Sequence, residues 1–556
     1  MSRPADTSPP AHMSPLAHMS PLADRSPLAD VSPPADIARK LARLESRFRD
    51  NVRDSVRAWG KLVDDERRLA GMTPDAKESA RAVARAEGRG GFLLTLDRPS
   101  YWAVMRHAED RALRRELYEA QITRASDRGP LAGQFDNGPL VEEILALRHQ
   151  QARLLGFSSH AQAAVCSTMA GSADRAERFL LELNSRLRPQ AEAELEAVWA
   201  LAKSRDGLKG FRPWDLAYYA ERLKEQQLGW SEGELRQYFS APRVVAGMLG
   251  LAEKQYGLVL VPHPERVERD GPAVTVRVFD GDGSELGVLG LELYGAREAR
   301  GEPEVAAVVP RRSEHSPQPP AVQVYCNLSP PVETRPCLIH PDEVRSLFHE
   351  FGCALYCLAA AALGPVDSGN ARVAMESAEL FGHVFANDFF DGVALSTVAR
   401  HVETGEPLPI TEPACLRACH PYPWALATVG EIESALFDLR MHRDYVPAER
   451  ASRLRSQVLD TLAQTRREVS LLAPPPWDRS ASSFVPVFGS SRGGGYFVHL
   501  WADAIAADVA GDRGSLRVAA PNGITSLVAN LRDKNPSIDT LLRIGAMRRR
   551  NTSLTK

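Results

Sequence analysis

The stretch Asp342-Glu-Val-Arg-Ser-Leu-Phe-His-Glu-Phe-Gly-Cys-Ala-Leu-Tyr356 reads as a helix with chemistry on one face. Pro341 ahead of it and the acidic pair Asp342 and Glu343 make a good helix opening, because proline fits the first turn and carboxylates suit the positive dipole end. The helix then carries His349, Glu350 and Cys353. In the zinc-peptidase signature two histidines four residues apart face the same way and hold the metal, while the intervening Glu is general base to the bound water. Here Cys353 stands where the second histidine belongs. A thiolate is a competent zinc ligand, so HEFGC is compatible with a metal site and equally with the loss of one. By spacing alone, a His-Glu pair on a helix is more often a surface pair.

Upstream, apolar periodicity predicts helices at Ala38 to Asp65, Pro74 to Ala86, Trp102 to Ser126, Leu140 to Leu155, Ala173 to Ser204 and Pro213 to Leu228. Gly, Pro, Asp and Asn signals separate them, and this half is expected to be all-α. Between Pro272 and Asn327 the period drops to two, as in Val274, Val276 and Val278, and Asp280-Gly-Asp-Gly283 supplies turn chemistry. That predicts a small β-hairpin region within 261–330. Asp280 and Asp282 do not make a calcium loop, because position 12 would be Leu291 where a bidentate Glu is needed. Helices resume from Pro341 to the end, with breaks at Gly364-Pro365, Pro474-Pro-Pro476 and Pro521-Asn-Gly523.

Over 556 residues, 44% hydrophobic and 25% charged content is globular. Lys+Arg 68 against Asp+Glu 71 gives a formal charge of -3, which with no long basic run argues against a nucleic-acid partner. The longest apolar run, Cys353 to Leu363, is far short of the ~20 residues needed to cross a bilayer, so no membrane partner is expected. Seven cysteines are too few for a disulfide framework, and their odd count favours a reducing compartment. Residues 1–37 hold a six-residue unit recurring five times from Ser8 to Ile37, as in SPPAHM and SPLADR. Proline in every unit and sparse apolar content predict a disordered tail. It has neither the apolar core of a secretory signal nor the acid-poor character of a transit peptide, so the expected location is the cytoplasm.

Over nearly everything after the tail the chain resembles the zinc metallopeptidase family of thimet oligopeptidase, oligopeptidase A and peptidyl-dipeptidase. The resemblance rests on many separate matches in one order: Thr95-Leu-Asp-Arg-Pro99 with Tyr101, His107-Ala-Glu-Asp-Arg111, Arg115-Glu-Leu-Tyr-Glu-Ala120 and Thr123-Arg-Ala-Ser126. Asp136-Asn137, Leu154-Leu-Gly-Phe157, Trp214-Asp215, Tyr218-Tyr219 and Leu291-Glu-Leu-Tyr294 follow. Leu347-Phe-His-Glu-Phe-Gly352, Gly495-Tyr496, Leu500-Trp501, Ala506-Ala-Asp508 and Asp539-Thr-Leu-Leu-Arg543 complete the set. The implied fold is a mainly α, two-lobed oligopeptidase-like body with a deep central channel, spanning 38–556, with 38–260 helical, 261–330 the β region and 331–556 carrying HEFGC.

The resemblance also implies a third zinc ligand, a Glu on the next helix. Val373-Ala-Met-Glu-Ser-Ala-Glu-Leu-Phe-Gly-His-Val-Phe385 matches that helix without a gap and places Glu376 at the ligand position, with Glu379 the competitor one turn away. His383 falls where the family carries an acidic residue behind the ligands. Seven residues of helix rise ~10 Å, too far for Glu376 and His383 to share one ion easily. The expected metal set is therefore His349, Cys353 and Glu376, binding zinc, with Glu350 as base.

The family's Gly-rich loop, which binds substrate and stabilises the oxyanion through a His and several Tyr, is matched by Val487-Phe-Gly-Ser-Ser-Arg-Gly-Gly-Gly-Tyr-Phe-Val-His-Leu-Trp501. Only Tyr496 stands at a family Tyr; Arg492 and His499 replace two others, and the upstream His is absent. Losing one such donor typically costs ~10²–10³ in rate. Arg492, Tyr496 and His499 are the expected substrate-binding residues, with Tyr496 and His499 catalytic beside Glu350. No Gly-Lys-Ser/Thr follows, so the glycines are no phosphate loop. Two readings stand: a divergent metallo-oligopeptidase acting on short peptides or a related amide, and a non-catalytic pseudoenzyme binding a peptide or protein in the inherited channel. Cys353 as a nucleophile, and Cys357, Cys415, Cys419 and His420 as a further thiol cluster, are weaker candidates, since helical i,i+4 thiols are more often packing residues.

Overall fold

A computed structural model describes residues 33–263, 273–295, 304–309, 319–331, 336–362, 371–389, 392–409, 422–447, 451–511, 524, 527, 531 and 534–547. The repeats before residue 33, and Cys415, Cys419 and His420, lie outside them.

The first helix, Pro33–Ala58, starts inside the stretch assigned to the tail. Its two prolines occupy the first turn and Asp36 pairs with Lys40 at 2.9 Å. Ile37 and Leu41, one turn apart, are buried. The helix also stops short of Asp65. Strand β1 (Gly60–Val63) follows and pairs antiparallel with β2 (Phe92–Thr95), so this half is not purely helical. The predicted Trp102 to Ser126 helix is two, Arg98–His107 and Arg111–Ile122. Asp97 and Asp110 cap them by accepting from the backbone N–H groups of Ser100 and Leu113. Helix Pro213–Leu228 matches the predicted bounds, closed by Gly229 at φ 72°.

The β region is larger than a hairpin. Strands β3 (Val259–Pro262), β4 (Ala273–Phe279), β5 (Glu285–Tyr294), β6 (Glu304–Val309) and β7 (Ala321–Leu328) form one sheet in the order β3-β4-β5-β7-β6. β4 and β5 make the expected hairpin, and the Ser284 N–H donates to Asp282 in its turn. The β5–β7 pair is parallel, which local turn chemistry cannot reveal.

On this sheet lies the helix quoted first, Pro341–Ala362 (the motif helix), and against it packs Ala371–Asp388 (the partner helix). The backbone N–H of His340 donates to Glu343, closing the opening that Pro341 begins. Leu347, Phe348, Phe351, Ala354, Leu355 and Leu358 are buried along the motif helix, and Phe348 and Phe351 meet Phe385 of the partner helix. The helices approach closely because two glycines face each other. A Cβ on Gly352 would lie 3.0 Å from the Gly382 Cα, and one on Gly382 would lie 2.8 Å from the His349 carbonyl oxygen and 2.5 Å from the Cys353 sulfur. Helix Val498–Gly511 also packs on the partner helix. No helix among the described residues is long and apolar enough to cross a membrane, and no disulfide forms among the described cysteines.

Candidate metal centre and active site

His349 and Cys353 lie one turn apart on the face of the motif helix that meets the partner helix. The Cys353 sulfur is 3.9 Å from His349 Nδ1 and 4.0 Å from Nε2. A Glu350 oxygen is 3.4 Å from Nδ1. From the partner helix a Glu379 oxygen comes to 3.4 Å from His349 Nε2 and 3.8 Å from His383 Nε2. The two imidazoles stand edge to face with centroids 4.5 Å apart. His383 Nδ1 in turn lies 3.4 Å from Asp503, on helix Val498–Gly511, and the same Asp503 oxygen lies 3.4 Å from Arg345.

Glu376 is not part of this group. Both its carboxylate oxygens accept from the Met169 backbone N–H at 2.9 Å, and the residue is 1% exposed. The ungapped match places Glu376 beside His349 and Cys353; the structure brings Glu379 there instead. The turn of the partner helix at the Gly352–Gly382 crossing is 379–383, and Glu376 sits a further ~4.5 Å along the axis. Two overlapping donor groups result, each with ligand atoms within 4.8 Å of one another: His349, Glu379 and His383, and His349, Glu350 and Cys353.

The electrostatics follow from burial and mutual contact. Burial opposes charge on His349, but Cys353, Glu379 and Glu350 around it hold its pKa well above the ordinary range. Burial would raise Glu379, but His349 at its side outweighs this and keeps the carboxyl well below its usual value, with Arg492 contributing. His383 is pushed down to about 3, first by burial and then by His349. Burial lifts the Cys353 thiol to about 11 even with His349 beside it pulling the other way, so it is no ready nucleophile. Cys357 is raised to about 12, again by burial.

The donor chemistry suits a divalent metal. Both ring nitrogens of His383 are buried without a hydrogen-bond partner, and a buried imidazole left so is costly unless a ligand completes it. Gly382 keeps open the space that a side chain would fill beside Cys353 and His349.

The glycine loop forms a second wall. Asp438, 1% exposed in helix Trp424–Arg443, accepts from the backbone N–H groups of Gly494 at 2.8 Å and Tyr496 at 2.9 Å. Arg148 donates to Glu45, to the Ser490 carbonyl and to His442, and His160 contacts the Gly493 carbonyl. The loop passes so close to Arg148 that a Cβ on Gly493 would lie 2.1 Å from its guanidinium. On this support Tyr496 donates to Glu431 at 2.9 Å, and His499 Nε2 lies 3.4 Å from the same carboxylate. Burial, then Glu431 and more weakly Glu379, carry the Tyr496 hydroxyl well above its usual pKa. Burial opposes charging of His499, but Glu431 and then Glu379 raise it. Both residues thus sense the Glu379 carboxylate, whose own pKa Arg492, exposed at the loop tip, helps to lower.

Sequence reading missed Glu431, Asp438 and Asp503, which no motif marks, and did not bring His383 together with His349 and Glu379. The signal for His383 was its four-residue spacing from Glu379, which puts both on one helical face.

Comparison with known proteins gives a consistent frame. The model of Peptidase family M3 matches residues 104–519. Oligopeptidase A of Salmonella typhimurium is 37% identical over 477 residues, covering 85% of this chain and 69% of that protein. Oligopeptidase A of Escherichia coli is 38% identical over 477 residues with the same coverage. Dipeptidyl carboxypeptidase of Escherichia coli is 26% identical over 470 residues, covering 84% of this chain and 67% of its own length.

Proposed function

Since the chain belongs to Peptidase family M3, we propose that it is a metal-dependent hydrolase of short peptides, with zinc as the metal and His349 as its anchor. The observation that carries this reading is the convergence on one half-buried imidazole of Glu350 from its own helix and Glu379 from the next, each at 3.4 Å. The substrate class comes from the relatives' names, oligopeptidase A and dipeptidyl carboxypeptidase. Zinc bound there would supply a Lewis acid that polarises the peptide carbonyl and makes water acidic near neutral pH.

The chain's own groups do the rest. Glu350, with its side chain 26% exposed, is the general base that takes a proton from water and returns it to the leaving amine. Tyr496 and His499 offer donors to the oxygen that gains charge as the carbonyl is attacked, and Arg492 holds peptide at the loop tip. Asp438 positions this loop through its two backbone contacts and touches no substrate.

The test is a quenched-fluorescent peptide assay on the full chain, with 1,10-phenanthroline treatment, zinc re-addition, and the Glu350→Gln variant. Cleavage should vanish with chelator, return with zinc and be lost in Glu350→Gln. Cleavage indifferent to both treatments would sink the reading, and peptide binding without cleavage would restore the non-catalytic alternative.

A further inference from the structure

Resting on the metal-dependent reading above, we propose that the ion is held by His349, Glu379 and His383, so that the partner helix supplies the imidazole missing from the motif helix at Cys353. Three observations converge on this set. Glu379 contacts both imidazoles through one oxygen, 3.4 Å from His349 Nε2 and 3.8 Å from His383 Nε2, so the three donors surround a common point. His383 is 7% exposed and both ring nitrogens are without a hydrogen bond. Its Nδ1 lies 3.4 Å from Asp503 without a hydrogen bond between them, so that carboxylate stands where it can orient the ring from behind once an ion is held.

The competing set, His349, Glu350 and Cys353, lies on a single helix and uses Glu350 as a ligand. That would remove the only motif-helix carboxylate beside His349 able to act as base. The cross-helix set leaves Glu350 available and consists of two imidazoles and one carboxylate, a donor combination typical of hydrolytic zinc. In this arrangement Cys353 packs at the helix crossing, and Glu376 holds the Met169 backbone.

Zinc K-edge absorption on the unmutated, zinc-loaded protein counts the ligands without any variant. The expected result is two imidazoles with no sulfur at about 2.3 Å. Zinc affinity, by competition with a chromophoric chelator, should fall at least 100-fold, ~100 being the upper end for an orienting residue, in His383→Gln and Glu379→Gln, and about tenfold in Asp503→Asn. Cys353→Ala and Glu376→Gln should keep wild-type affinity. Circular dichroism on each variant separates ligand loss from unfolding. One imidazole with a sulfur neighbour, and zinc lost in Cys353→Ala but retained in His383→Gln, would overturn this assignment and leave the metal-dependent reading standing. An unmutated protein that takes up no zinc would overturn both.

Discussion

The two walls of the site are built on opposite principles. The backbone of the glycine loop is held by finished contacts, since Asp438, Arg148, Glu45, His160 and His442 meet it or one another inside the fold. Beyond that backbone, His499 Nε2 on the same wall is without a hydrogen bond. The metal wall is unfinished, for the His383 ring nitrogens have no hydrogen-bond partner and like groups crowd around His349. A polar network completed by protein atoms is a stability device, whereas one left incomplete is where a ligand contributes. The lesson is that burial alone does not identify a functional group. Asp438 and His383 are both buried, yet only His383 lacks its partners.

This contrast can be broken by substitution. Glu350→Gln should lower kcat on a fluorogenic peptide by about 10²–10⁴-fold with zinc content unchanged, since it removes a base and no ligand. If zinc leaves as well, Glu350 belongs among the ligands and the walls are less distinct than drawn. On the finished wall, Asp438→Ala strands two backbone N–H groups and should cost about 3 kcal/mol in urea denaturation, with zinc affinity untouched. A variant as stable as the parent would mean the loop does not depend on that carboxylate. Tyr496→Phe should reduce kcat about 10²-fold if the hydroxyl turns from Glu431 to the reacting carbonyl. An unchanged kcat would leave it a partner of Glu431 alone.

The smallest expected effect sharpens the crossing between the helices. Gly382→Ala places a methyl 2.5 Å from the Cys353 sulfur and should destabilise by about 1–3 kcal/mol. Gly430→Ala, where nothing lies within 4 Å of the added carbon, should be neutral or stabilising by about 0.5–1 kcal/mol. Equal effects of the two changes would show that the helices have room to separate.

Much of this was legible beforehand because it is local. Proline and acid at the start of the motif helix, the apolar spacing of Pro213–Leu228 and the Asp-Gly turn between β4 and β5 depend on neighbours a few residues away. The β1–β2 pair escaped notice because four-residue strands some thirty positions apart carry no periodic signal, and the tail boundary shifted because Pro33 and Pro34 serve as a helix start as readily as another repeat. On the glycine loop, Tyr496 and His499 could be picked out by the family resemblance, but Glu431, which joins them, could not.

Amino-acid order was sufficient to specify a helix bearing His349 and Glu350 with a thiol one turn on, and a following helix rich in possible ligands. Which acid of that second helix faces the first was settled only by packing. Glu376 and Glu379 differ by three positions, nearly a full turn, and local propensity treats them alike. The contact of Gly352 with Gly382 selects the facing turn, and with it Glu379 and His383, because a close approach of two helices is a property of both surfaces at once and is written in neither alone.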